Sequence, residues 1–384
     1  GPRGRIYLMK QVLEGAPVTR STQLHLDRCL TCRNCETTCP SGVQYGNLVE
    51  IGRRIVDSKV ERPAGERTAR WLLKEGLTSP LFAPAMKIGQ ALRPLLPRIL
   101  KNKVPLSVGA DAHRWPTREH PRKMLLLMGC VQPAMMPNIN SATARVLDAA
   151  GIQTLVADEA GCCGAIRLHL SDHDGALAEM RRNIDAWWPL VEGLTEQGKV
   201  EAIVMNASGC GVTVKEYAHS LAGDPAYAEK ARRISALTVD LSELLPELVP
   251  ALRAKLALPR PAGERGGGAP TRPEERVKRY AFHAPCTLQH GQQLRGGVET
   301  HLAALGFDIQ VARNEAHLCC GSAGTYSVLQ PELAYALRDR KLANLGELEP
   351  QTIISANIGC IQHLQTGTTT PVRHWIEVLD EALA

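Results

Sequence analysis

Residues 123–130, KMLLLMGC, and residues 279–286, RYAFHAPC, are short apolar runs that each end at a cysteine. Runs of this length, bounded by turn residues, predict buried β-strands. After each run come a helical pattern, a second strand, a Cys-Cys-Gly sequence and a long helix. A third strand, at 201–209 or 352–359, then runs into another cysteine. The chain thus repeats one α/β unit, and the alternation of strands and helices predicts a parallel sheet in each copy.

Four cysteines recur at matching positions in each copy. The carboxyl ends of parallel strands form one crevice, so thiols that follow different strands can converge there. A single buried cysteine is often only a small hydrophobic residue, but a repeated group predicts ligands for a metal or an iron–sulfur cluster. The first set is Cys130, Cys162, Cys163 and Cys210, and the second set is Cys286, Cys319, Cys320 and Cys360.

A third cysteine group precedes the repeats. Residues 29–40, CLTCRNCETTCP, have the C-x2-C-x2-C-x3-C-P spacing of bacterial iron–sulfur proteins. Cys29, Cys32 and Cys35 are predicted to bind one cluster, and Cys39 is expected to reach a second one. Zinc is the alternative, although zinc sites usually bring two separated cysteine or histidine pairs. Such motifs commonly occur in pairs and the chain begins Gly-Pro-Arg, so we expect a preceding segment with an earlier motif.

The composition narrows the class of protein. With 384 residues, 44% of them apolar and 22% charged, the chain is a globular protein of two or three domains. A net charge of +6 is too low for the dense basic surface of a nucleic-acid-binding protein. These 384 residues show no signal-peptide pattern and no apolar run approaching the roughly 20 residues that span a bilayer. Adjacent cysteine pairs in so long a chain favour metal binding over disulfides, which predicts a cytoplasmic protein.

The segment between the first motif and the repeats is basic and rich in proline. Helical patterns at 5–14 and 46–59 flank the cysteine motif and predict a mostly helical ferredoxin-like region. The connector then contains Lys87, Arg93, Arg98, Lys101 and Lys103 among apolar residues. It is either a packed connector with a solvated basic face or a peripheral membrane contact. The predicted domains are a partial helical ferredoxin-like [4Fe–4S] domain (1–60), a helical basic connector (61–120), the first repeat (121–258), a flexible linker (259–276) and the second repeat (277–384).

The two repeats resemble the cysteine-rich CCG domains of the heterodisulfide reductase family. The whole chain resembles the iron–sulfur subunits of bacterial glycolate oxidase. This resemblance implies [4Fe–4S] clusters on the cysteines of the motif and of both sets. It also implies FAD on flavoprotein partner subunits that oxidise glycolate to glyoxylate, and a quinone or other electron acceptor. The segments that carry it are GPRGRIYLMKQVLEG (1–15), LDRCLTCRNCETTCPSGVQYGNLVEIGR (26–53), DEAGCCGA (158–165) and LCCGSAGTYSVLQPELA (318–334).

Several alternatives remain open at this point. Related subunits serve lactate and glycerol-3-phosphate dehydrogenases. CCG domains that cleave disulfides close with C-x-x-C, but Ala207 and Asn357 occupy the place of that additional cysteine here, which favours electron relay. The non-redox alternative is a zinc-stabilised scaffold. The sequence contains no strand–GxGxxG–helix pattern, so we expect the flavin on a partner subunit and the chain in the cytoplasm or on the inner face of the cytoplasmic membrane.

Three histidines lie near the second set in sequence. His283, His317 and His374 could tune a cluster or relay a proton, but a satisfied structural role is predicted for each. Asp240 and His374 occupy matching places in the two repeats. Because their side chains differ in type, different roles are predicted for them.

Overall fold

Two four-stranded sheets form the frame of the molecule, one in each repeat. The first has the strand order β2-β1-β3-β4 and the second the order β6-β5-β7-β8. All neighbouring strands are parallel. The predicted α/β class with two repeated parallel sheets is therefore confirmed. The strands are β1 (Arg122–Leu126), β2 (Ile152–Leu155), β3 (Ala202–Met205), β4 (Thr238–Asp240), β5 (Arg279–His283), β6 (Asp308–Val311), β7 (Thr352–Ser355) and β8 (Val372–His374).

The structure, a computed structural model, describes residues 1–97, 101, 104–106, 109–256 and 278–384. The predicted linker (259–276) and the connector residues Arg98 and Lys103 lie outside the described residues. The domain boundaries stay a prediction. Among the described helices, none is both long enough and apolar enough to cross a membrane.

Helices cover the sheets and form most of the region before them. Those before the first sheet are Pro2–Leu13, Arg20–Asp27, Asn34–Thr37, Tyr45–Lys59, Ala64–Thr78 and Phe82–Ala91, with 3₁₀ turns at Arg93–Leu95 and Ala110–His113. In the first repeat they are Gln132–Met135, Pro137–Ala149, Ala165–His169, His173–Glu192, Ser208–Lys215, Tyr217–Ser220, Ala228–Leu237 and Leu245–Arg253, with a 3₁₀ turn at Leu241–Leu244. In the second repeat they are Gly297–Ala304, Tyr326–Leu329, Pro331–Gly346, Ile358–Gln365 and Trp375–Leu383, with a π-turn at Thr287–Gly291.

Both faces of the first sheet are covered, because successive side chains of a strand point to opposite faces. Met124 and Leu126 enter one apolar core, whereas Leu125 packs with Ile184 and Trp187 on the other face. A sheet buried on both faces needs apolar residues at every position. This explains why the strands are continuous apolar runs in the sequence.

One apolar core joins the two repeats. Leu126 of the first sheet and Phe282 of the second belong to the same buried cluster. The helices Pro137–Ala149 and Trp375–Leu383, one from each repeat, pack against each other within it. The carboxyl ends of both sheets are therefore held in a fixed relation to each other.

The region around the first cysteine motif is helical, as predicted. Met9, Leu26 and Val49 from three of its helices form a small core that includes Cys29. Arg53 lies beneath this core, and its Nη2 donates to the carbonyl oxygen of Cys29 at 2.7 Å. The helices thus fix the position where the cysteine loop begins.

The third strand of each sheet is shorter than the predicted strands at 201–209 and 352–359. β3 ends at Met205 and β7 ends at Ser355. Cys210 and Cys360 lie instead in the first turn of the helices that follow. The prediction that strands run into these cysteines was therefore wrong.

Hydrogen bonds between the repeats explain these early strand ends. The Ser208 N–H donates to the carbonyl oxygen of Ala356 at 3.1 Å. The Gly209 N–H donates to Asn357 Oδ1 at 3.3 Å. Buried backbone groups need partners, and here the other repeat supplies them in place of a neighbouring strand.

Candidate iron–sulfur sites

The first set of cysteines converges beyond the carboxyl ends of β1, β2 and β3. Its thiols form a series in which Cys130 contacts Cys162, Cys162 contacts Cys163, and Cys163 contacts Cys210 through hydrogen bonds. The hydrogen bonds from Cys130 and Cys163 lower the pKa of Cys162. The hydrogen bond to Cys162, together with burial, raises the pKa of Cys130. A row of neighbouring sulfur atoms, with the thiolate form favoured at Cys162, is suited to binding a soft metal.

Asn183, in the long helix His173–Glu192, holds the backbone around Cys162 through two hydrogen bonds. Asn183 Oδ1 accepts the Gly161 N–H at 2.8 Å, and Asn183 Nδ2 donates to the Cys162 carbonyl oxygen at 2.7 Å. The Gly164 N–H donates to Cys162 Sγ at 3.5 Å. A hydrogen bond of this kind stabilises the thiolate.

The second set repeats this arrangement in a more buried form. Cys286 contacts Cys319, Cys319 contacts Cys320, and Cys320 contacts Cys360 through their thiols. All four are buried, whereas Cys130 and Cys210 of the first set are only partly so. The Gly321 N–H donates to Cys319 Sγ at 3.3 Å, as Gly164 does in the first set.

The glycine after each cysteine pair has a left-handed backbone. Gly164 has φ +94° and Gly321 has φ +91°. A Cβ atom on Gly164 would lie 3.2 Å from the carbonyl oxygen of Ala176, and one on Gly321 would lie 2.3 Å from that of Ala334. Both the conformation and the close approach require glycine. Because Ala176 and Ala334 make the same contact, helices His173–Glu192 and Pro331–Gly346 can be aligned residue by residue.

In this alignment Lys341 takes the place of Asn183. Lys341 is 2% exposed, and its Nζ donates to the carbonyl oxygens of Glu315 at 2.7 Å and Ala316 at 3.3 Å. Burial lowers the pKa of Lys341, while the neighbouring thiolates, Cys286 first among them, act in the opposite direction. The second set therefore has a buried amino group where the first set has a neutral amide.

His283, at the end of β5, lies against the second set. One of its ring nitrogens and the Sγ atoms of Cys320 and Cys360 all lie within 4.8 Å of one another. Its Nε2 is buried and has no hydrogen-bond partner among the described residues. Burial lowers the pKa of His283 to about 3, and the charge of Lys341 acts in the same direction. The predicted role of a satisfied structural histidine was wrong for His283.

The other two histidines differ from His283. His374 caps the last helix, with its Nδ1 accepting the Ile376 N–H at 3.1 Å and its Nε2 2.9 Å from the Asn206 carbonyl oxygen. The structural role predicted for His374 is therefore confirmed. His317 is exposed. One signal in the sequence singles out His283, because the matching position three residues before the first cysteine of the other set is Leu127.

The N-terminal loop brings Cys29, Cys32 and Cys35 together. Cys29 Sγ accepts hydrogen bonds from the Thr31 N–H at 3.4 Å and from the Tyr45 hydroxyl at 3.7 Å. Burial, together with the charges of neighbouring cysteines, raises the pKa of Cys32 and of Cys35 to about 11. These three thiols form a partly buried group at the end of the helical region.

Cys39 is separate from this group. Backbone N–H groups of Val43, Ser41 and Gly42 lower the pKa of its thiol, and the other cysteines of the loop do not contribute to that shift. These hydrogen bonds favour the thiolate form of Cys39 over the thiol. The structure brings three of the four predicted residues of the motif together and leaves the fourth apart.

The N-terminal loop lies next to the second set. After burial, the charge of Cys286 is the largest cause of the raised pKa of Cys32, and Cys32 acts in turn on Cys319. Thr37 Oγ1 lies 3.0 Å from His290 Nδ1 in the second repeat, which holds the loop there. The sequence contained no indication of which set the loop would contact.

Asn357 connects the second set with the first. Its Nδ2 donates to Cys360 Sγ at 3.7 Å, and its Oδ1 accepts the N–H of Gly209, the residue before Cys210. The matching residue in the first repeat, Ala207, can form no such contact. The N-terminal loop thus borders the second set, and the second set borders the first, while Arg33 of the loop also pairs with Glu216 of the first repeat.

Comparison with known proteins agrees with this architecture. Residues 124–215 and 280–365 match the family described as "Cysteine-rich domain" (CCG). The chain is 51% identical, over its full length and 88% of the relative, to the "Glycolate oxidase iron-sulfur subunit" of Escherichia coli (strain K12). It is 29% identical, over 95% of its length and 83% of the relative, to the "Probable glycolate oxidase iron-sulfur subunit" of Bacillus subtilis (strain 168).

A more distant relative covers less of the chain. Identity is 26% over 67% of the chain and 98% of the "Lactate utilization protein A" of Geobacillus thermodenitrificans (strain NG80-2). The full-length similarity to the Escherichia coli protein and the two matched cysteine-rich domains agree with the resemblance inferred from the motifs. The chain belongs to the family of glycolate oxidase iron–sulfur subunits.

Proposed function

We propose that this chain is the iron–sulfur subunit of a glycolate-oxidising complex. It passes electrons from a flavoprotein subunit, which holds FAD and oxidises glycolate to glyoxylate, towards a quinone-type acceptor. The observation that carries the proposal is that the three cysteine groups are neighbours in the fold, because neighbouring redox sites are what an electron relay needs. The names of the relatives give glycolate as the first substrate to test.

We propose [4Fe–4S] clusters as the groups that the cysteines hold. The thiols suit such clusters because they are soft donors, largely buried, and close to backbone N–H groups that hydrogen-bond to sulfur. When bound, an iron–sulfur cluster supplies a site that accepts and releases one electron. The proposed ligands are Cys29, Cys32, Cys35 and Cys39 of the N-terminal loop, Cys130, Cys162, Cys163 and Cys210 of the first set, and Cys286, Cys319, Cys320 and Cys360 of the second set.

We propose an electron path that has the N-terminal loop at one end, the second set in the middle and the first set at the other end. Electrons travel along it in one direction or the other. The electrostatic contact between Cys32 and Cys286 supports the first step of this order. Asn357, which hydrogen-bonds to Cys360 Sγ and to the Gly209 backbone, supports the second step. Asn357 takes the position of the additional cysteine found in disulfide-cleaving CCG domains, which favours relay over disulfide reduction.

We expect glycolate to reduce the cysteine-bound centres of the complex. The chain is purified without air, together with the proteins that accompany it, and the broad cluster absorbance is followed while glycolate, D-lactate and then dithionite are added. Loss of absorbance with glycolate supports the proposed function. Loss with D-lactate alone assigns the subunit to a lactate-oxidising complex, and metal analysis that finds zinc without sulfide contradicts an electron relay.

We further propose that the connector contacts the cytoplasmic face of a membrane, where a quinone acceptor is found. Leu81 and Leu95, on either side of helix Phe82–Ala91, are 73% and 82% exposed. Lys87 and Arg93 lie in the same stretch. Exposed apolar side chains beside basic ones are typical of a segment that lies on an anionic lipid surface.

The double substitution Leu81→Glu and Leu95→Glu is expected to weaken binding to anionic lipid vesicles by roughly a hundredfold. Burying two leucine side chains in the lipid contributes about 3 kcal/mol or more, and the substitutions remove that contribution. Cosedimentation with vesicles, with and without anionic lipid, measures this. Leu194→Glu is the matched control, since Leu194 is 75% exposed but follows helix His173–Glu192 of the first repeat. Equal loss in the control, or no binding by the unaltered protein, would contradict the membrane contact.

A further inference from the structure

The second set differs from the first in having a nitrogen donor among its sulfurs. The ring nitrogen of His283 and the Sγ atoms of Cys320 and Cys360 form a mutually close group, within 4.8 Å. No group of three or more histidine, cysteine or acidic ligand atoms elsewhere in the described residues is as close. Soft sulfur donors beside an imidazole are a ligand set for iron or zinc.

The environment of His283 provides a second, independent observation. The side chain is 2% exposed, and its Nε2 has no hydrogen-bond partner among the described residues. A buried polar atom left without a partner costs about 1–3 kcal/mol. Coordination of a metal through Nε2 would remove that cost, because the lone pair of this nitrogen is then used.

The first repeat serves as an internal comparison. Leu127 occupies the position that matches His283, and it packs with Cys163 in an apolar cluster. The fold at this position therefore does not require a polar side chain. Because only the second repeat has a buried histidine at this position, we infer that His283 takes part in the chemistry of the second set.

We propose that His283 binds iron of the second centre through a ring nitrogen, beside Cys320 and Cys360. A [4Fe–4S] cluster takes one protein ligand per iron, so His283 then replaces one of the other two thiolates of the set, Cys286 or Cys319. This inference rests on the proposed function, since it requires an iron–sulfur centre in the second set. The neutral imidazole donates its lone pair and adds no negative charge, whereas each thiolate adds one. As in Rieske centres, where histidine replaces cysteine, the second centre will then have a higher reduction potential than a centre with cysteine ligands only.

The test is pulsed electron paramagnetic resonance on the full-length protein, purified without air and reduced with dithionite. A strong ¹⁴N coupling to a reduced centre is expected, and it should become a ¹⁵N coupling when histidine is ¹⁵N-labelled. The coupling should disappear in His283→Leu, which introduces the residue of the first repeat, and in His283→Cys, which keeps a ligand. His317→Gln is the matched control, because His317 is exposed and close to the same cysteines in sequence, and it should keep the coupling.

Each other outcome overturns the inference. If reduced iron–sulfur signals are present in the unaltered protein without a histidine nitrogen coupling, His283 ligation is wrong and the proposed function stands. The same holds if the coupling survives in His283→Cys. Zinc in the second set while the other centres contain iron overturns both the inference and the proposed relay through that set. If no iron–sulfur signal is found at all, the proposed function fails too. The labelled unaltered protein decides the question even if His283→Leu does not fold.

Discussion

Replacing Cys320 with serine is expected to remove the second centre and to stop electron relay through the subunit. Cys320 is fully buried, and its thiol contacts those of Cys319 and Cys360. A serine hydroxyl is a much poorer ligand for a cluster iron than a thiolate, because it is far harder to deprotonate and its oxygen is a harder donor. We expect the loss of about four irons per chain, because a [4Fe–4S] cluster needs its cysteine ligands.

The effect on relay should exceed the effect on iron content. In the proposed order the second set relays electrons between the N-terminal loop and the first set, so its loss should interrupt the relay even though the other centres remain. Glycolate should reduce the centre that follows the missing one at least roughly a hundredfold more slowly. Removing only a hydrogen-bond partner of a metal ligand already costs about 10–100-fold in activity, and here a ligand itself is removed. Iron and sulfide analysis with stopped-flow absorbance in the assembled complex measures both effects.

Ser322→Ala is the matched control for Cys320→Ser. Ser322 is also buried and lies two residues further along the same loop, but it has no thiol. The control should keep its iron and its rate. If Cys320→Ser keeps both as well, Cys320 is not a ligand. If both variants lose iron equally, the loop matters for folding and the ligand assignment has no support.

The sequence predicts the frame of the molecule well because the frame depends on local patterns. Apolar runs, helical periodicity and the order of elements in two copies are sufficient for two parallel sheets. Parallel strands then require that residues after β1, β2 and β3 meet at one edge, so the grouping of Cys130, Cys162 and Cys210 could be inferred. What could not be inferred is the shared core between the sheets, since contacts between distant segments leave no local signal.

Chemical type also proved a poor guide to role at the helix caps. Asp240 and His374 differ in type, and different roles were predicted for them, but that prediction was wrong. Each accepts a backbone N–H two residues ahead and is paired with a glutamate in a capping box. An imidazole nitrogen and a carboxylate oxygen are both acceptors, so either can satisfy the first turn of a helix.

Replacing Gly321 with alanine is expected to destabilise the second repeat and to prevent assembly of its centre. The backbone at Gly321 has φ +91°, where residues other than glycine are strained by about 1–3 kcal/mol. The added Cβ would also lie 2.3 Å from the carbonyl oxygen of Ala334, a backbone atom within helix Pro331–Gly346. Relieving that overlap must move either the helix or the cysteine pair, and overpacking of this kind costs a further 1–3 kcal/mol or so.

The total loss of about 2–6 kcal/mol is a large part of the stability of a typical domain, so the midpoint of denaturant unfolding should fall clearly and iron should be lost from the second set. Gly324→Ala is the matched control: φ at Gly324 is +62°, but the nearest atom to an added Cβ is a carbon of His169 at 3.8 Å. It should cost about 1 kcal/mol and keep the iron. If the two variants behave alike, the close approach of Gly321 to the helix does not position the cysteine pair, and backbone conformation alone explains the glycine.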